Sequence, residues 1–114
     1  VTLLHLAAAL WATFGVDERT ALAALLPLTR RAVDNVAARG PAAALTGPIV
    51  RGDAATVAKH LGALAEACPT ALAPYAALAE ATLALAADAG LLSPEQVAAV
   101  RAVLAGAPPP ARPS

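Results

Sequence analysis

Apolar residues recur along this chain at helical spacing, and no segment alternates in the manner of a strand. Leu3, Leu6, Leu10 and Phe14 fall at i, i+3, i+7 and i+11 on one face, with Leu4 and Trp11 on a second, so residues 1–14 read as the end of a longer helix. Gly15 closes it, and Asp17 caps a second helix that carries Leu22, Leu25, Leu26, Val33 and Val36 inward as far as Gly40-Pro41, with Pro27 as a kink. Thr46-Gly47-Pro48 forces an irregular turn, because Gly permits positive φ and Pro pushes the residue before it out of the helical region. Asp53 then caps a helix with Val57, Leu61, Leu64 and Cys68 on one stripe and Lys59 and Glu66 outside it.

Pro69 and Pro74 mark a break and a restart, and a long helix runs from there to about residue 89. Leu72, Tyr75, Ala76, Ala79, Leu83 and Ala86 form its stripe, while Leu78 and Leu85 lie off it, which predicts a central or dimer-buried position. Gly90 stops that helix. Ser93-Pro94-Glu95-Gln96 has the form of an N-cap, a first-turn Pro and a capping-box Gln, opening a last helix with Val97, Val100 and Leu104 inward. The expected fold is all-α, a bundle of about five helices whose small Ala-rich faces permit close approach. Residues 1–106 make one helical domain, and residues 107–114, rich in Pro, are expected to be a disordered tail or linker.

Composition narrows the function. Hydrophobic residues make up 59% of the 114, but Ala dominates them, and no run of about 18 strongly apolar residues is free of charge, Pro and Gly, so no membrane span is expected. The N-terminus lacks the pattern of a signal peptide. Eight basic and eight acidic side chains give no net charge and no basic stripe, which argues against nucleic acid as a partner. The single Cys68 excludes an internal disulfide and suits the cytoplasm, where it is expected to be a small core residue. The chain has no Met and opens in mid-pattern, so it is expected to be a fragment. It contains no GxGxxG, and any dinucleotide-binding unit would have to lie upstream of Val1.

The stretch from Thr46 to Leu61 is where helical filler gives way to chemistry. Its loop carries Arg51 and Asp53 and opens a helix, and free helix-start amides beside a guanidinium suit a polar or anionic group. The order Gly40-Pro41, Ala44-Leu45-Thr46-Gly47-Pro48-Ile49, Arg51-Gly52-Asp53, Thr56-Val57 and His60-Leu61, preceded by Leu26-Pro27-Leu28 and Asn35, resembles the helical domain of unknown function 2520 over roughly residues 1–90. In that family the domain follows a Rossmann-like NAD(P)-binding domain and is similar to the C-terminal helical domains of 6-phosphogluconate dehydrogenase-like enzymes. The resemblance implies an NAD(P)-dependent oxidoreductase as the parent. This chain would serve dimerisation and one wall of the cleft for a small-molecule substrate, the cofactor being held mainly by the missing N-terminal domain. The fragment alone is expected to be inactive.

Candidate site residues are Thr46, Arg51, Asp53 and His60. Arg51 and Asp53 either pair to fix the loop or divide their labour, Asp53 capping the helix while Arg51 offers planar bidentate contacts to an anionic group. The triplet Arg51-Gly52-Asp53 is too short to indicate adhesion. His60 lies beside the Val57/Leu61 stripe, as an acid or base or as a histidine held by a structural hydrogen bond. Thr46 neighbours Gly47, where backbone and ligand can approach closely, and Asn35 is a second hydrogen-bonding candidate. His5 is expected to pack; in related reductases of the wider superfamily a polar pair on the first helix lies at the catalytic centre, and the resemblance places this family's Asn-containing segment ahead of Val1, so that role does not pass to His5. Two histidines and one cysteine without close ligand spacing give no zinc site. The alternative function is a noncatalytic helical interaction module that buries its apolar faces against a second copy or another protein.

Overall fold

A computed structural model describes residues 1–107. Among these residues there is no strand, and six helices follow one another: α1 (Thr2–Ala12), α2 (Glu18–Arg39), α3 (Pro41–Ala44), α4 (Ala54–Ala67), α5 (Pro69–Asp88) and α6 (Pro94–Ala105). The all-α expectation holds, and the helix beyond the expected five is α3, a single turn started by Pro41. The helices fall into two compact units, Val1–Ala44 and Leu45–Ser114. Beyond Ala107, the expected Pro-rich tail lies outside the described residues.

In the first unit α1 packs on α2 through a turn that Gly15 makes possible. At φ +81° it lets its own N–H reach the Ala12 carbonyl at 3.0 Å while the Val16 N–H reaches Trp11 at 3.3 Å, a Schellman closure of α1. Asp17 caps α2 as expected, accepting from both the backbone N–H and the hydroxyl of Thr20 at 2.9 Å. The apolar stripes of α1 and α2 are only partly buried. On α1, Ala8 is buried and Leu4, Leu6, Leu10 and Trp11 are half-buried, while Leu3 is exposed and Phe14 is 76% exposed. On α2, Ala21 is buried and Leu22, Leu25 and Leu26 are half-buried, but Val33 is 64% and Val36 45% exposed. The reason is length: α1 spans about 16 Å and α2 about 33 Å, so α1 covers only the first half of its neighbour's apolar stripe.

The second unit is built on α4, α5 and α6, each in contact with the other two. Val57, Leu61 and Leu64 of α4, Leu72, Ala79, Leu83 and Ala86 of α5, and Val100 and Leu104 of α6 are all buried, as their spacing predicts. Cys68 is also buried, and it is the single residue that ends α4 and begins α5. Pro69 follows as the first residue of α5, where its missing N–H costs nothing. Pro74 does not mark a restart: it lies inside α5, which runs through it without the bond its nitrogen would have donated to the preceding turn. Gly90, at φ +71°, closes α5 as Gly15 closes α1, with the Leu91 N–H on the Ala86 carbonyl and the Gly90 N–H on Ala87, both at 3.0 Å. By length and composition α5 is apolar enough to cross a membrane. Alanine supplies much of that hydropathy, Glu80 interrupts it, and five of its residues are buried.

Candidate functional site

The segment between α3 and α4 is a turn of helix with both ends tied. Gly47, at φ +99°, admits the chain to Pro48. Residues 48–51 then wind one turn that Gly52, at φ +68°, closes: its N–H bonds the Ile49 carbonyl at 3.0 Å and the Asp53 N–H bonds Pro48 at 2.9 Å. Ile49 is buried and anchors the turn, while the side chain of Arg51 stands exposed at its end. The Arg51 carbonyl, left without a helical partner by the closure, accepts a hydrogen bond from Nε2 of Gln96 at 3.3 Å.

Asp53 and Arg51 divide their labour. One Asp53 carboxylate oxygen accepts from the Thr56 N–H at 3.0 Å and the other from the Thr56 hydroxyl at 2.7 Å, so the cap of α4 occupies both. These two bonds, and more weakly the charges of Arg51 and Lys59, hold the Asp53 carboxyl below its ordinary pKa. Arg51 itself is exposed to solvent.

His60 does not converge on that pair. It sits seven residues beyond the cap, about 10 Å along the helix axis, and its Nδ1 is 2.9 Å from the hydroxyl of Tyr75 on α5, ring edge to ring face with centroids 5.9 Å apart. Burial pushes the Tyr75 phenol above its usual pKa. Either neutral tautomer of the imidazole fits the bond: Nδ1 accepts from the Tyr75 hydroxyl when the ring proton is on Nε2 and donates to it when the proton is on Nδ1. This geometry is that of a polar clasp between α4 and α5. Thr46 is exposed at the start of the loop, and Asn35 is half-buried on α2 in the other unit.

Sequence reasoning missed two participants, Tyr75 and the reach of Gln96 to the loop. The spacing places Tyr75 only in the α5 stripe, yet His60 flanks the α4 stripe that meets it, and a polar pair at that seam is the available signal. The Gln96 contact had none, since it joins residues 45 positions apart. His5 also departs from expectation. It is exposed on the rim of a hollow of about 370 Å³ between α1 and α2, lined also by Leu4, Ala8, Glu18, Leu22 and Leu26.

Among the described residues no strand leads into a glycine-rich turn of the kind that cradles a dinucleotide phosphate. No group of three or more His, Cys, Asp or Glu side chains gathers among the described residues. No curated protein and no solved structure matches the chain. The family model described as Domain of unknown function (DUF2520) matches residues 1–82, which take in α1 to α4 and most of α5, and the chain belongs to that family.

Proposed function

We propose that this chain is the C-terminal helical part of an NAD(P)-dependent oxidoreductase, forming one wall of a substrate cleft and pairing with a second copy of itself. The observation that carries this reading is the exposed Arg51, on a turn closed by Gly52 beside an Asp53 carboxylate whose two oxygens are bonded to Thr56. A planar cation on a fixed turn suits a carboxylate or phosphate of a small substrate. Thr46 supplies a hydroxyl from the same loop, Asp53 holds the helix start, and His60 presents its remaining ring nitrogen further along α4. Nicotinamide chemistry would supply the hydride, from a cofactor bound elsewhere in the protein, in a cytoplasmic setting that suits the free thiol of Cys68.

The test uses the protein encoded by the whole gene. A strand and GxGxxG turn ahead of Val1, with NAD(P)-dependent turnover that Arg51→Ala lowers about ten- to a hundredfold in kcat/KM, is the expected result. Unchanged turnover in that variant removes Arg51 from the site. A noncatalytic interaction module is the second reading, favoured by the exposed Leu78 and Leu85 on α5. It is the reading left if the gene encodes no dinucleotide unit.

A further inference from the structure

Gln96 lies outside the residues matched by the family, on the first turn of α6, and its side-chain amide faces two ways. Its Oε1 accepts from the Ser93 N–H at 2.9 Å while the Ser93 hydroxyl accepts from the Gln96 N–H at 3.1 Å, which completes the capping box of α6. Its Nε2 turns to the 48–52 turn and donates to the Arg51 carbonyl. A second, independent contact places the same side chain there: a Cβ on Gly52 would lie 2.7 Å from Nε2 and 2.8 Å from Cγ of Gln96. Gly52 is therefore required twice, once for its φ of +68° and once because Gln96 rests against it.

We infer that Gln96 is the positioning residue of Arg51, a latch from α6 that fixes the turn presenting the guanidinium to an anionic group. This rests on the reading of Arg51 as an anion contact. The two functions of the amide are separable, because glutamate keeps the capping-box acceptor and loses the donor. In Gln96→Glu the α6 amides retain their protection, whereas the Gly52 and Asp53 amides exchange about two- to tenfold faster, the value of one net hydrogen bond. Gly52→Ala displaces the Gln96 side chain and also strains the turn at φ +68°, so its acceleration exceeds that of Gln96→Glu.

The deciding experiment combines amide exchange on the full chain with a titration of inorganic phosphate followed through the amide signals of residues 50–54. Expected are weaker phosphate binding in Gln96→Glu by the factor seen in exchange, and loss of the phosphate response in Arg51→Ala with Gly52 and Asp53 exchange unchanged. Unaltered loop exchange in Gln96→Glu overturns the latch. Faster exchange with undiminished phosphate affinity overturns the positioning role and leaves a structural tie. No phosphate response in the unaltered chain overturns the anion reading itself, and the exchange data then show that the failure lies with Arg51 and not with the latch.

Discussion

Asp17 and Asp53 use one device: aspartate at the N-cap with threonine three residues on, each carboxylate bonded to that threonine's N–H and hydroxyl. Both carboxyl groups are held below the ordinary pKa, Asp17 first by the Thr20 N–H and Asp53 first by the Thr56 hydroxyl. A carboxyl depressed in the folded state stabilises the fold fully above its unfolded pKa of about 3.9, and loses that contribution as pH falls through the lower folded value. Thermal melts followed from neutral pH downward are thus expected to hold steady to about pH 5 and decline below about pH 4. Asp53→Asn, which caps without titrating, flattens that decline, and Asp53→Ala lowers Tm by roughly 5 °C at neutral pH. An acid limb of the same steepness in Asp53→Asn counts against this assignment. Tyr75 acts with the opposite sign. Its raised pKa keeps its share of stability present below about pH 10 and withdraws it as the phenol ionises above that.

At the scale of helices, burial separates residues that hydropathy alone treats as equals. Leu83 on α5 is fully buried, and Leu78, on the same helix, is about half exposed. Leu83→Ala is expected to cost about 2–5 kcal/mol by urea unfolding, and Leu78→Ala less than about 0.5 kcal/mol in the isolated chain. Comparable losses at the two positions are inconsistent with this packing. The stripes of α4, α5 and α6 were legible because each of these helices has two neighbours and a cap or glycine that fixes its ends. Asp53, Gly90 and the Ser93–Gln96 box declared those ends in the sequence. The faces of α1 and α2 were not legible, because apolar periodicity says which residues form a stripe and not how far a partner extends along it. Val33 and Val36 continue the stripe of α2 past the end of α1. Pro74 lies within α5 rather than at a restart for a related reason: within a packed helix the loss of one backbone bond is offset by burial of the residues around it. In the candidate site, the turn and the Asp53 cap followed from local chemistry, whereas the Tyr75 and Gln96 contacts depend on which helices become neighbours.

Across the whole molecule the two units differ sharply in how much apolar surface they remove from water. The buried apolar residues of Val1–Ala44 are Ala8 and Ala21 alone, while Leu45–Ser114 buries Ile49, Val57, Leu61, Leu64, Leu72, Leu83, Val100 and Leu104 together with smaller side chains. Since burial is the main favourable contribution to folding at about 25 cal/mol per Å², amides of α1 and α2 are expected to open at distinctly lower free energy than those of α4, α5 and α6. Native-state hydrogen exchange measures this directly, and equal protection in all five helices refutes it. Pairing with a second copy adds a condition to the same measurement. The uncovered half of α2 bears Leu28, Val33 and Val36, and the outer side of α5 bears Leu78 and Leu85, so a dimer that covers either has surface to gain. Binding confined to the folded state raises protection with concentration. An increase localised to α2 as the protein is concentrated identifies the first unit as the contact, and one localised to α5 identifies the second. Protection independent of concentration, with a sedimentation coefficient that stays at the monomer value, removes self-association from the proposed function.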